Sequence, residues 1–231
     1  MILCLGDSLT LGHLGYSYLD FLKPRVKIVN KGVNGDTTWG ALKRLRKYLN
    51  NPRYQDISTI IIAIGTNDLL LPYLSSLSLV WKVQNGPKAA RKKCCTQDDQ
   101  FREIYEQLIE LALPRKLVLV GLPLIHLDRF PSETLLRRNR IIRELAAKYG
   151  LPFVDIYALQ KAALTKEPNS YTWGVTNLRL VRDSLLMLIF PSSKDWLARR
   201  RGLELTVDGV HFNSVSAKLL AEEIKTLKVV T

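Results

Sequence analysis

Cysteine, histidine and methionine are scarce in this chain of 231 residues, which holds three, three and two of them. Cys4 stands alone and Cys94 and Cys95 are adjacent. No regular spacing supports a disulfide framework, and no C-x-x-C pair supports a zinc site. The vicinal pair reads as two reduced thiols, with redox sensitivity as the alternative. Long apolar runs are missing too. None approaches the roughly 18 residues of a membrane-spanning helix. The candidates near 69–81 and 185–190 are broken by proline, serine or charge. No Walker motif and no G-x-G-x-x-G is present, so the usual phosphate- and dinucleotide-binding signatures are absent. No charged leader, apolar core and cleavage site precede the first strand, which makes a cytoplasmic protein the expectation.

Acidic residues are outnumbered, 21 Asp+Glu against 34 Lys+Arg, for a net charge of +13. The cations gather at Lys88 to Lys93, Arg137 to Arg143 and Arg199 to Arg201. Each cluster reads first as a solvated face or loop. No nucleic-acid motif accompanies them, so no nucleic acid is expected as a partner. An anionic lipid surface or anionic substrate stays open.

A length of 231 residues allows one sizeable core, and a single domain over 1–231 is the expectation. The chain opens on Ile2-Leu3-Cys4-Leu5, an apolar run without alternation, as in a strand buried on both faces. It stops at Gly6, and a short turn presents Ser8. A short helix is expected between Leu11 and Leu22, and a second strand over Arg25–Asn30. Asp36 or Thr37 can cap a helix over Thr38–Leu49. Ile57–Ile64 is rich in β-branched residues and predicts a buried strand. Helices follow over Gln97–Leu113 and Pro131–Tyr149, strands over Lys116–Leu122 and Pro152–Ile156, and a terminal helix begins after Asn213 or Ser214. The stretches 69–96 and 165–205 read as irregular insertions or lids, the first with some helix. Alternating strands and helices predict a parallel sheet covered on both faces.

Four polar clusters lie at expected strand ends or helix starts: Gly6-Asp7-Ser8-Leu9, Gly32 to Asp36, Gly65 to Asp68, and Asp208 to His211. Strands of a parallel sheet point one way, so the first three clusters converge on one edge, where such sheets bind ligands. Ser8 is a nucleophile candidate there, although most turn serines are structural, and a serine hydroxyl needs a base. His13 and His126 read as turn or surface residues. His211 has Asp208 three residues before it, so one imidazole nitrogen can be held by a carboxylate while the other faces a serine. The α/β-hydrolase elbow G-x-S-x-G does not fit, because Leu9-Thr10 follow Ser8.

These clusters resemble the blocks of the GDSL, or SGNH, hydrolases. Gly6-Asp7-Ser8-Leu9 matches the first block literally. Gly32-Val33-Asn34-Gly35-Asp36-Thr37 matches the second, Gly65-Thr66-Asn67-Asp68 the third, and Asp208-Gly209-Val210-His211-Phe212 the fifth. The order matches, and the blocks run from end to end of the chain. The resemblance implies an α/β, flavodoxin-like three-layer α/β/α sandwich with a five-stranded parallel sheet in the order 2-1-3-4-5. It implies ester hydrolysis through an acyl-enzyme, with Ser8 as nucleophile, His211 as base and acid, and Asp208 orienting His211. The oxyanion hole would comprise the backbone N–H groups of Ser8 and Gly35 and the amide of Asn67. Asp7, Asp36 and Asp68 would hold the surrounding loops through local hydrogen bonds; for Asp68 a helix N-cap is the plain structural alternative. No metal or cofactor is implied.

Leu70 and Leu71, directly after Asn67-Asp68, are the substrate-binding candidates. Trp81, Trp173, Met187 and Phe190 are weaker ones, each better explained singly as ordinary core. Short- to medium-chain carboxylic esters are the expected small-molecule substrates. Lysophospholipids or acyl thioesters, and a non-catalytic binding protein of the same fold, are the alternatives.

Overall fold

The computed structural model describes residues 1–22, 27–166, 170–176 and 178–227, with the backbone alone over 87–92. Five parallel strands form one sheet: β1 (Ile2–Gly6), β2 (Ile28–Gly32), β3 (Thr59–Ala63), β4 (Lys116–Val120) and β5 (Phe153–Val154). Their order is β2-β1-β3-β4-β5. Strand β1 is therefore central, pairing with β2 from Ile2↔Ile28 to Gly6↔Gly32 and with β3 from Ile2↔Thr59 to Gly6↔Ala63. All five of its residues are buried, which explains why its sequence shows no polar alternation. Residues 25 and 26 of the expected second strand lie outside the described residues.

Alternate strand residues feed two cores, one on each face of the sheet. Leu3, Leu5, Ile60, Ile62, Leu117 and Leu119 face a core shared with α2 (Thr38–Leu49), α5 (Asp98–Ala112) and α6 (Ser132–Lys148). Ile2, Cys4, Ile61, Val118 and Val120 face the other, against Tyr18, Ile156, Leu220 and Ile224. The last three belong to α7 (Ile156–Ala163) and α10 (Ser214–Thr226), and Tyr18 opens a 3-10 turn. The result is a flavodoxin-like α/β/α sandwich. Thr37 caps α2 by accepting from the Gly40 N–H, and Asn213 caps α10.

The stretches read as irregular hold more helix than expected. Residues Thr66–Leu77 form α3 and Leu79–Lys92 form α4, while α8 (Leu178–Ile189) and α9 (Ser193–Arg200) lie within 165–205. Pro72 lies inside α3, and Gly86 and Pro87 inside α4. Their breaker chemistry hides the helices in sequence. The two helices pack on one another, and tertiary contact outweighs the local propensity.

The basic cluster 137–143 is also not simply a solvated face. Arg138 is wholly buried, donating to the carbonyls of Gln97 and Cys95, pairing with Asp98 and lying over the Phe101 ring. The side chains of 88–92 lie outside the described residues. Among the described residues no helix is long and apolar enough to cross a membrane.

Candidate active site

Strand β1 ends at Gly6, and the chain turns at once into α1 (Ser8–Leu11). Asp7 caps that short helix by accepting from the Leu9 N–H at 3.0 Å. Ser8 is its first residue, so its own N–H has no carbonyl one turn back to bond. The β2 end packs tightly under this loop. A Cβ on Gly32 would stand 2.3 Å from the Leu11 nitrogen. Gly35 has φ +63°, a left-handed conformation that glycine adopts without strain. Arg44 of α2 ties the loops together, donating to Asp36 Oδ2 at 2.8 Å and to the carbonyls of Lys31 and Gly6 at 2.6 and 2.9 Å.

From the far end of the chain, a turn at Asp208 brings His211 over this edge. Asp208 Oδ1 accepts from the backbone N–H of Val210 at 3.1 Å and of His211 at 2.8 Å. Its Oδ2 lies 2.8 Å from His211 Nδ1. His211 Nε2 in turn lies 3.0 Å from Ser8 Oγ. All three side chains are buried. Burial alone would lower the His211 pKa, but the Asp208 charge and hydrogen bond, with the Asp7 charge, leave it above the ordinary value of 6.5. Burial opposes ionisation of Asp208 as well. His211 and two backbone N–H groups outweigh it and hold the carboxyl below its usual range. This geometry lets a hydroxyl pass its proton to an imidazole whose cation is stabilised from behind.

Asn67 lies in the first turn of α3, beside Ser8 in the same cleft. One hydrogen of its amide goes to Asp7 Oδ2 at 3.2 Å, leaving the other for a ligand. Asp7 is buried and its pKa is pushed up to about 7, mainly by desolvation. Asp68 does not cap its own helix. It accepts from the Thr38 N–H and hydroxyl at 2.8 and 2.7 Å and from the Cys95 N–H at 2.7 Å. It therefore joins α3 to the start of α2 and to the segment after α4.

The cleft holds about 570 Å³. Ser8, Gly35, Asn67 and His211 line its floor, and Leu70, Leu71 and Leu74 of α3 form one wall. Trp81 and Trp173 line it as well, whereas Met187 is buried in a separate cluster and Phe190 is exposed, so neither belongs to the cleft. His13 is exposed, as expected, but His126 is buried, its N–H donating to the Gly209 carbonyl behind the Asp208 turn. The Cys4 and Cys95 thiols are free, and burial pushes both up to about 12. That keeps them protonated and poorly nucleophilic. Among the described residues no group of three or more His, Cys, Asp or Glu could hold a metal ion.

Comparison with known families decides the assignment, because the model of the GDSL-like lipase/acylhydrolase family matches residues 4–214. The chain belongs to that family. This GDSL-like protein is accordingly a serine hydrolase acting on ester bonds. None of the curated proteins matches it. Solved structures do. A lipase/acylhydrolase from Enterococcus faecalis aligns with TM-score 0.59 at 23% identity, over 98% of this chain and 95% of its own. A GDSL-like lipase from Bacteroides thetaiotaomicron aligns with TM-score 0.62 at 18% identity, over 98% and 86%. A catalytic mutant of an acetylxylan esterase from Geobacillus stearothermophilus aligns with TM-score 0.59 at 16% identity, over 100% and 94%. At these identities the likeness is one of fold.

Two supporting residues of this GDSL-like site escape sequence reasoning. Arg44 is one cation among several in Lys43 to Lys47, and nothing in that run marks it. Trp173 stacks on the His211 ring, centroids 6.1 Å apart and planes 7° from parallel, and donates its indole N–H to the Asp208 carbonyl at 2.7 Å. Its signal as an isolated tryptophan in an irregular stretch points only to a pocket wall.

Proposed function

We propose that the GDSL-like protein is a carboxylic esterase in which Ser8, His211 and Asp208 form the catalytic triad. The observation that carries this reading is the pair of contacts from Ser8 Oγ to His211 Nε2 and from His211 Nδ1 to Asp208 Oδ2, 3.0 and 2.8 Å. His211 Nε2 takes the Ser8 proton as Oγ attacks the ester carbonyl. The resulting oxyanion is met by the Ser8 and Gly35 N–H groups and the Asn67 amide. Collapse breaks the bond to the alcohol oxygen, which receives the proton from His211. Water then attacks the acyl-enzyme by the same route in reverse, giving the free acid and Ser8.

Leu70, Leu71 and Leu74 supply an apolar wall suited to a short- or medium-chain acyl group. Residues 1–231 are proposed to act as one hydrolase unit, with α4 and α8 roofing the cleft.

The test is hydrolysis of p-nitrophenyl esters from acetate to palmitate by wild type and Ser8→Ala. Turnover should fall roughly 10⁴–10⁶-fold in the variant with little change in melting temperature. Near-wild-type turnover in Ser8→Ala would remove Ser8 as nucleophile.

A second reading, an amphiphilic ester drawn from an anionic lipid surface, is favoured by the rim of the cleft. Leu79 and Val83 of α4, Val175, and Leu178, Val181 and Leu185 of α8 are exposed, and Val181 and Leu185 also line the cleft. Lys82, Arg179 and Arg182 are exposed among them, and residues 69–97 contain no acid. Apolar side chains interleaved with cations suit an anionic bilayer surface. Sedimentation with phosphatidylglycerol vesicles but not with phosphatidylcholine vesicles supports this reading, and indifference to both removes it.

A further inference from the structure

Asn85 lies in the middle of α4 and lines the catalytic cleft. It is 5% exposed, and among the described residues its Nδ2 atom has no hydrogen-bond partner. Its surroundings make that choice of residue costly. Trp81 stands one turn before it on the same helix, and Leu71, Leu74 and Leu180 share the cleft wall. A leucine at this position would suit both the helix and the wall better, since asparagine is a weaker helix former and a buried donor without an acceptor is destabilising. Buried polar groups are nearly always satisfied, and a specific exception calls for an explanation. Here the side chain lines a cavity that already presents Ser8, His211 and Asn67, and a turn of the amide about its last bond brings the donor to a ligand there that can supply the acceptor.

We propose that Asn85 is a specificity residue, whose amide donates to an acceptor oxygen carried by the substrate beyond its scissile ester carbonyl. The preferred substrates are then oxygenated esters rather than plain alkyl alkanoates. The oxygen can belong to the acyl chain or to the alcohol, and the chemistry at Asn85 is the same in either case. Ser184 and Asn34 also line the cleft, so the polar part of such a substrate meets more than one polar side chain. This inference rests on the esterase reading above and names the substrate class of that same site.

Three matched esters separate the sources: pentyl hexanoate, pentyl 5-oxohexanoate and 4-oxopentyl hexanoate. Ketone oxygens accept but do not donate, so they probe the Asn85 donor alone. Acid release is followed in a pH-stat with wild type, Asn85→Leu and Asn85→Asp. Wild type should prefer at least one oxo ester over pentyl hexanoate by about tenfold in kcat/KM, carried by KM, as expected for one neutral hydrogen bond. The preferred ketone identifies the acyl or the alcohol side.

Asn85→Leu should erase that preference. Asn85→Asp, which keeps the size but replaces the donor with an acceptor, should erase or invert it. Wild type showing equal kcat/KM for all three esters would overturn the proposal, and so would a preference that survives in a folded variant. Absence of turnover on every ester, with no labelling of Ser8 by a fluorophosphonate, would overturn the esterase reading and the subsite with it. Ready hydrolysis of pentyl hexanoate without preference would overturn the subsite alone.

Discussion

The floor and the roof of the cleft are built differently. The floor sits at the carboxyl end of β1, whose residues are all buried and paired on both sides. Its loops are pinned by Arg44, by Asp68 and by the two backbone bonds to Asp208. The roof is two helices. Trp81 Nε1 donates to the Gly174 carbonyl at 2.8 Å, and Ser78 Oγ to that of Val175 at 3.0 Å. The α8 helix is anchored through buried Asp183, which pairs with Arg201, and Arg201 also donates to the Val207 carbonyl at 2.7 Å. Outside those anchors the roof exposes apolar side chains to solvent. The difference separates two jobs. Chemistry needs atoms held to fractions of an ångström, which buried strands and backbone hydrogen bonds provide. Substrate choice needs a surface, and that can vary while the floor stays fixed.

Substitutions on the floor should therefore act on kcat, and those on the roof on substrate preference. The largest effect in this comparison is expected from Asp208→Asn. Losing the carboxylate behind His211 should lower kcat roughly 10⁴-fold, read in stopped assays with a soluble butyrate ester. A loss of only a few-fold would show that His211 is oriented without Asp208. Asn67→Ala should lower kcat by roughly 10²–10³-fold. An unchanged kcat would remove Asn67 from the oxyanion hole.

The pH profile comes next. His211 must be neutral to accept the Ser8 proton, so kcat/KM should fall about tenfold per pH unit on the acid side of its pKa. That pKa is raised, so the acid limb should have its midpoint above 6.5. A midpoint below 6.5 would mean that burial outweighs the Asp208 charge. The same shift favours the folded state at low pH. Its stabilisation is fully present below the unfolded pKa and is lost as pH rises through the folded one.

The smallest effect is expected on the roof. Val181→Ser combined with Leu185→Ser should lower turnover of a vesicle-borne amphiphilic ester, relative to a soluble butyrate, by about three- to tenfold. An equal effect on both substrates would place these side chains in the catalytic cleft alone.

The floor was legible in sequence because its signals are local. Unalternating apolar runs mark strands buried on both faces, and the turn residues at their ends mark loops. The resemblance of four such loops, in order, to the GDSL blocks named Ser8, Gly35, Asn67, Asp208 and His211 as candidates, and the structure brings Ser8, Gly35, Asn67 and His211 to one cleft, with Asp208 against His211. The roof was not legible because its helices depend on packing. Pro72, Gly86 and Pro87 argue locally against helix, and only the contact between α3 and α4 outweighs them. Arg138 and His126 were misread for a related reason. Their burial depends on residues distant in sequence, such as Cys95 and Gly209, and a single cation or imidazole carries no mark of it. Asp68 shows the same limit, because the backbone groups it holds lie 30 and 27 residues away.

The contact between Ser8 and His211 spans 203 residues of chain. Closing so long a loop is entropically costly, and structures dominated by such distant pairings form slowly. Esterase turnover should therefore return with the slowest phase of refolding, after circular dichroism has recovered.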